Sequence, residues 1–352
     1  MQPSTASHPE TCDVLVIGGG PAGSTVAALL GGQGRSVVLV EKAQHPRFHI
    51  GVSLLRANVG LFERLGVRDQ VEKIGMPKFG IEFISPDRDY RTYLEFAEAW
   101  NKEMPYAWQV RRSDLDALLF RHAATLVLVH PAGRWHDQHR AVCWPCYLKS
   151  RDKPLKEFFF DTIALCPSLA ARLQQATLVD DAVHATGNYS YIARHCSGER
   201  YLVLGDAYTF IDPMFSTGVY LAMNSAFTGA EVVTTCLDQP AEAAKARATF
   251  ERTMRKGPSV YSWSIFRVTN PTIRDMFMHP KNMFRVKEAL MSMLAGDIFG
   301  KTPIWGALRM FKAIYYAISL GNFRRSFAGW KRHRVAIHDM GPLRGETITE
   351  TK

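Results

Sequence analysis

The chain of 352 residues has no run of 18 apolar residues, so no segment has the length to cross a bilayer as a helix. Met1 to Glu10 is polar and lacks the apolar stretch of a secretory signal. A cytoplasmic protein with no membrane span is the expectation. Cysteine is sparse: six residues are scattered at 12, 143, 146, 166, 196 and 236. That suits free thiols in a reducing compartment and excludes a disulfide scaffold. Cys143 and Cys146 have redox spacing but no thioredoxin-like strand-to-helix context. There is no internal repeat, which excludes a solenoid. There is no zinc finger, basic zipper or aromatic RNA motif, which excludes sequence-specific nucleic-acid reading. Acid is the scarcer charge, with 33 Asp and Glu against 43 Lys and Arg and a formal net charge of +10. Much of the excess lies late, at Lys301, Arg309, Lys312, Arg324, Arg325, Lys331, Arg332 and Arg334. Such a surface is either simply solvated or faces an acidic partner, a carrier protein or anionic lipid.

What is present is concentrated in two stretches. The first is Val14-Leu15-Val16-Ile17 running into Gly18-Gly19-Gly20-Pro21-Ala22-Gly23-Ser24. The apolar run predicts a buried parallel strand. Gly18 permits a tight turn, Gly20 lets backbone approach a pyrophosphate, and Gly23 lets the next helix sit close to the sheet. The helix, Ala22 to about Gln33, aims its first amides at the phosphates. Val37 to Val40 is the second strand. Glu41 follows about 20 residues after the glycines, where a carboxylate takes ribose hydroxyls. A dinucleotide site is implied.

Downstream, Arg47 to Leu55 predicts a turn into a helix ending near Gly66. Lys78 to Ile84, Tyr90 to Phe96 and Ala107 to Val110 predict strands. Arg112 to about Ala124 predicts an amphipathic helix with Ser113 as its N-cap. Periodicity is lost from Thr125 to Arg140. Helices are expected at Pro154–Leu165 and Ser168–Ala176, and strands at Asn188–Ala193 and Tyr201–Leu204. A long helix from about Gly218 to Leu237 follows. Residues 241–320 are mostly helical in pattern, with Pro258, Pro271, Pro280 and Pro303 as breakers. Trp305 to Leu320 is amphipathic and expected to face the core. The last thirty residues are polar and expected to fray.

The second stretch is Leu202-Val203-Leu204-Gly205-Asp206-Ala207 followed by Phe210-Ile211-Asp212-Pro213-Met214-Phe215-Ser216-Thr217-Gly218-Val219. A strand ending in Gly-Asp projects Asp206 at its C-terminal edge, where open α/β sheets bind ligands. The turn from Pro213 to Gly218 then opens a helix whose free amides face an anionic group. With Gly18–Ser24, Arg47–Leu55, Gln109–Leu119 and Tyr189-Ser190-Tyr191, these motifs resemble the FAD-dependent monooxygenase superfamily, and within it the flavin-dependent halogenases. The resemblance covers about residues 12–124 and 141–320.

That resemblance implies an α/β fold: a Rossmann-like FAD-binding domain of glutathione-reductase type, a reduced substrate sheet and a C-terminal helical region. The expected division is 1–240 for the FAD-binding part, with an irregular junction at 125–147. A helical region at 241–335 and a flexible tail at 336–352 complete it. Gly18, Gly20, Pro21, Ala22, Gly23, Ser24, Glu41, Arg47, Arg112, Gly205, Asp206, Pro213 and Gly218 are implied to hold FAD. Thr217 and Gly218 are implied to offer amides to chloride or bromide. Lys78 falls where the family places its catalytic lysine, which passes hypohalous acid to an electron-rich ring. FADH2 is implied to come from a separate flavin reductase. The same superfamily also contains hydroxylases and isoprenoid-type reductases, and a non-catalytic truncated remnant is a further alternative.

The chain departs from the family pattern in three places. Val52 replaces a Glu after Gly51. Phe215 stands where halogenases of free tryptophan carry Glu, which points to phenols or to pyrroles tethered to a carrier protein. About a hundred residues that family members hold between Ala124 and Ala141 are missing, including a Trp-x-Trp-x-Ile-Pro signature. Leu126-Val-Leu-Val-His-Pro131 reads as Trp-Phe-Trp-Phe-Ile, resembling that signature, when shifted one base downstream, if both leucines are CTG codons and the free bases are T. The stretch then reads as an out-of-frame remnant beside a deletion. Another leucine codon at either position in the gene removes this reading. The rival reading is a short loop whose His130, His136 and His139 have only Asp137 as a further metal ligand.

Overall fold

Two short parallel strands and the helix that links them begin the fold. The computed structural model describes residues 11–46, 52–85, 90–102, 105–127, 145–174, 183–185, 190–212, 215–267, 270–278, 282–299, 303–338 and 348–350. Strand β1 (Val14–Ile17) pairs in parallel with β2 (Val37–Val40), Val14 opposite Val37 and Ile17 opposite Val40. Helix α1 (Pro21–Gly32) crosses between them, with Pro21 presetting φ at its first turn.

A mixed region follows: β3 (Val52–Ser53), α2 (Ala57–Leu65), α3 (Arg68–Ile74), β4 (Met76–Lys78), β5 (Gly80–Ser85), β6 (Tyr90–Glu95), β7 (Ala107–Val110) and α4 (Arg112–Ala124). Strand β7 is central in an antiparallel sheet ordered β3-β7-β4, and β5 pairs antiparallel with β6. Beyond the junction come α5 (Pro145–Lys149), α6 (Leu155–Ala164), α7 (Pro167–Arg172), β8 (Val183–Ala185), β9 (Tyr191–Ile192) and β10 (Thr209–Phe210). The rest is chiefly helical: α8 (Gly218–Asp238), α9 (Ala243–Ile265), α10 (Pro271–Met278), α11 (Val286–Ala295), α12 (Trp305–Gly321) and α13 (Phe323–His338). The last strand, β11 (Ile348–Glu350), pairs antiparallel with β8. No helix among the described residues is long and apolar enough to cross a membrane.

One hydrophobic core runs from Val16 and Val26 through Phe62, Trp108 and Phe120 to Met223, Tyr261 and Phe311. The C-terminal helices therefore share their apolar interior with the nucleotide-binding half. Arg56, at 3% side-chain exposure, pairs with Asp297, which follows α11, and donates from Nη1 to the Asn101 carbonyl at 2.5 Å. Gly296 takes φ +98°, and a Cβ there would lie 2.6 Å from the Ala57 Cβ. A side chain would force α11 away from α2 and separate the ion pair.

Several expectations are corrected. Strand β1 buries only one face: Val16 is inside, while Leu15 and Ile17 are 56% and 82% exposed. Its sole pairing partner is β2, and no layer covers the Leu15–Ile17 face among the described residues. Residues 201–204 pair through one bridge, Ser197 with Leu202, rather than as a strand of the main sheet. The expected strand from Lys78 to Ile84 is two: β4 ends at Lys78 and β5 begins at Gly80. The N-cap of α4 is Arg111, not Ser113, whose hydroxyl instead donates to Asp114 at 2.9 Å. Pro258 lies inside α9 without ending it; it removes one backbone hydrogen bond in a helix held by packing on α8. The polar end is not simply frayed, since α13 reaches His338 and β11 lies within the expected tail. Cys143, Pro280 and residues 128–144 lie outside the described residues.

Removing one member of the buried pair leaves the other charge without compensation. Asp297→Ala is expected to cost about 3–5 kcal/mol, read as a lower urea midpoint with an unchanged m-value.

Candidate functional site: a cleft between two glycine turns

The first turn is shaped by backbone. Gly18 has φ +103° and donates its N–H to the Val40 carbonyl at 2.8 Å. A Cβ on Gly23 would sit 1.8 Å from the Gly18 carbonyl oxygen, so only glycine permits this turn into α1. Glu41 accepts from the Gly19 N–H at 2.6 Å and from the Ala43 N–H at 2.8 Å. Ser24 is buried, and its hydroxyl donates to the Gly19 carbonyl at 2.9 Å; it holds the loop. Gly20 caps α1 without a side-chain hydrogen bond, and the first turn has no acid. The amides after Pro21, at Ala22 and Gly23, are thus oriented for an anion.

The second turn meets the first at Gly205. Its φ is +54°, and a Cβ there would lie 3.0 Å from the Cβ atoms of both Ala22 on α1 and Ala222 on α8. Ser225 supports it, accepting from the Gly205 N–H at 2.9 Å and donating to the Ala222 carbonyl at 2.6 Å. Tyr191 donates its hydroxyl to the Asp206 carbonyl, and Ser190 donates to the Ile211 carbonyl. Ser190 and Tyr191 thereby grip the loop on both sides of β10.

Asp206 opens to solvent but is walled by protein, the signature of a concave site. That enclosure holds its carboxyl above the usual carboxylate range; Arg112 opposes the rise and Asp116 adds to it. Arg112 donates from Nε to Asp116 Oδ1 at 2.5 Å. Asp116 is fully buried, and its Oδ2 has no hydrogen-bond partner. An unpaired buried carboxylate oxygen marks a place for a donor. At the start of α8, Ser216 takes φ +56° and Thr217 is buried. Thr217 caps α8 without a side-chain bond, and the first turn has no acid. These amides, like those of α1, suit negative charge. Glycine cradles at both ends, uncapped helix starts and the unpaired Asp116 oxygen fit a dinucleotide with a flavin ring.

Lys78 is positioned by the β3-β7-β4 sheet. Ser53 faces Gln109 and Lys78 faces Ala107, two residues apart on β7, so both side chains project to one face. Nζ donates to Ser53 Oγ at 2.5 Å and to the Leu54 carbonyl at 3.0 Å, and lies 5.0 Å from the Phe96 ring centre. Burial lowers this amine to about 8.

Of the residues expected from sequence, Ala22, Gly205, Asp206 and Arg112 are brought together, and Gly18, Gly20, Gly23 and Glu41 form the adjoining loop. Arg47 and Pro213 lie outside the described residues. Two supporting residues, Asp116 and Ser53, were not singled out. Asp116 carried a signal, standing four residues after Arg112 on an amphipathic helix. Ser53 carried none, because its partner Lys78 is 25 residues away. No cluster of metal ligands occurs among the described residues.

Comparison with known proteins agrees with this geometry. Residues 11–130 match the FAD binding domain family. A flavin-dependent halogenase of Penicillium aethiopicum is 25% identical over 350 residues, taking in 65% of this chain and 65% of that protein. The chain thus spans less than two thirds of that relative's length. Because 350 matched positions take in only 65% of this chain, the relative carries internal residues with no counterpart here. Among solved structures, a flavoprotein/dehydrogenase from Cytophaga hutchinsonii superposes with a TM-score of 0.76 at 21% identity, covering 89% of this chain and 100% of that one. The myxobacterial chondrochloren halogenase CndH superposes at 0.63 and 21% identity, covering 84% and 92%. Residues 11–130 thus form an FAD binding domain. Beyond that domain, the chain is similar to flavin-dependent halogenases over 65% of its length and shares the fold of CndH.

A raised carboxyl favours the folded state at low pH, and this contribution disappears as pH rises through its pKa. Above that pKa the ionised Asp206 therefore brings no stability to the flavin-free protein. Asp206→Asn is expected to leave the flavin-free melting temperature equal or higher while weakening FAD binding about tenfold, measured by flavin fluorescence titration.

Proposed function

We propose that the protein is an FAD-dependent halogenase-type oxidoreductase acting on an electron-rich aromatic, a phenol or a carrier-tethered pyrrole. The observation that carries the reading is the meeting of Ala22 with Gly205 and Asp206, which joins two signatures about 180 residues apart in one cleft. Reduced FAD from a separate flavin reductase would supply, with oxygen and chloride or bromide, the oxidising equivalent for hypohalous acid. The chain's own residues do the rest. The amides of Gly18 to Ser24 and the Glu41 carboxylate hold the nucleotide, while Asp206 takes a hydroxyl of the ribityl chain. Thr217 and Gly218 offer backbone amides to the halide at the start of α8. Phe215 is buried, so the position that carries Glu in halogenases of free tryptophan offers no carboxylate here.

Lys78 is the catalytic residue of this scheme. In its neutral form both N–H bonds are donated, to Ser53 Oγ and to the Leu54 carbonyl. The nitrogen lone pair then points away from both, toward incoming hypohalous acid. Nitrogen attacks the halogen, the O–halogen bond breaks, and the released hydroxide takes the ammonium proton as water. The N-halogenated amine passes its halogen to the ring, which loses a proton to restore aromaticity.

A second reading, a non-catalytic remnant, draws on the bare Leu15–Ile17 face of β1. A sheet without its covering layer promotes association and leaves less wall to exclude water from the flavin. A yellow, monodisperse purified protein supports the enzyme; a colourless aggregate supports the remnant. NAD(P)H consumption without an added reductase would instead favour a hydroxylase or isoprenoid-type reductase.

For the enzyme, Lys78→Ala is expected to abolish halogenation while flavin oxidation continues. Because burial lowers the amine to about 8, the neutral fraction grows with pH, and wild-type halogenation should rise through about pH 8 to a plateau. A flat profile, or unchanged product formation in Lys78→Ala, removes Lys78 from the chemistry.

A further inference from the structure

Helices α12 and α13 form a hairpin on the far C-terminal side of the core. Helix α12 buries Leu308, Phe311 and Tyr315 and leaves Tyr316 and Leu320 exposed, Leu320 at 76%. Helix α13 docks through other residues: Ser326 bonds Thr272 at 3.1 Å, Arg325 pairs with Asp275 at 2.9 Å, and Gly329 abuts the Pro271 ring. Its Phe323, Phe327 and Trp330 recur at helical spacing and are exposed, their rings stacked at 5.5 and 5.6 Å. Leu320 and Phe323 stand on either side of Asn322, so the exposed apolar residues of α12 continue into the α13 stripe.

Charge on this hairpin has one sign. From Ile298 to His338 the sequence has eight Lys and Arg and no Asp or Glu. Arg324 and Lys331 lie beside the α13 stripe, and Lys312, midway along α12, and Arg267, just after α9, each lie 4.9 Å from the Trp263 ring centre. A ridge of Phe, Trp and Leu bordered by Lys and Arg matches the interface of an anionic bilayer: rings enter the headgroup boundary and cations meet lipid phosphates. A second copy fits poorly, because an isologous contact would oppose like charges.

We infer that the α12–α13 hairpin is a peripheral membrane-docking face that seats Leu320, Phe323, Phe327 and Trp330 in the surface of an anionic lipid bilayer. This does not depend on the flavin reading, since none of these residues touches the cleft.

The test is flotation of the full chain with vesicles of phosphatidylcholine alone and of phosphatidylcholine mixed with phosphatidylglycerol. Aggregated protein stays at the bottom, so flotation separates lipid binding from self-association. Binding to the anionic vesicles is expected to be about tenfold stronger or more and to weaken with salt. Arg324→Glu with Lys331→Glu should lose that preference. Leu320→Ser with Phe327→Ser should lower anionic-vesicle binding about tenfold at an unchanged melting temperature, because both positions are exposed. Equal flotation with both vesicle types, no flotation, or undiminished flotation of the serine variant overturns the proposal. So does a wild-type dimer that the serine variant converts to monomer, which would assign the face to a second copy.

Discussion

The structure turns on one close approach. Gly205 sits between Ala22 of α1 and Ala222 of α8, where a single added carbon would lie 3.0 Å from each. Small side chains on both helices let them converge, and the convergence presents two helix starts to one cleft. Neither start has a side-chain cap or an acid in its first turn. Left alone, this would be a costly concentration of partial positive charge. With an anionic ligand bridging the two turns, the same arrangement is favourable. The cleft is therefore organised around a charge that the chain does not itself supply.

The remaining polar groups are graded by their distance from that cleft. Ser24 is consumed in holding the first loop, where Glu41 accepts two backbone amides, and Tyr191, Ser190 and Ser225 hold the second. Asp206 remains open to solvent, and the buried Oδ2 of Asp116 has no hydrogen-bond partner among the described residues. Lys78 belongs to a different layer, fixed through the antiparallel β3-β7-β4 sheet rather than through the glycine turns. Cofactor grip and amine placement thus rest on separate scaffolds, which allows one to be altered while the other survives.

Much of this was legible in the sequence because it depends on local rules. Gly18 to Ser24 between an apolar run and an amphipathic helix fixes turn, helix and second strand within one neighbourhood. Glu41 follows from spacing, and the α8 start follows from Ser-Thr-Gly ahead of a long apolar-periodic stretch. What escaped was set by partners distant in sequence. The apolar composition of Val14 to Ile17 suggested burial on both faces, but burial requires a covering layer, and Leu15 and Ile17 have none among the described residues. Leu202 to Leu204 had strand composition but lacked a neighbouring edge to pair with. Pro258 had the local signature of a breaker and was overruled by the packing of α9 on α8. Ser53 became part of the site only once β7 placed it beside Lys78.

The Arg56–Asp297 pair has a temporal consequence. Its members are separated by 241 residues, so a nascent chain emerging at the ribosome's pace carries the arginine for roughly 12–48 s before its carboxylate is made. During that interval the guanidinium cannot enter the interior without a severe penalty, and the first half of the protein must stay loosely organised around it. Late closure of this contact couples completion of the shared core to synthesis of the carboxyl-terminal third. A ribosome stalled before that point would hold a chain that has both glycine turns and α8 but not yet the carboxylate that neutralises Arg56.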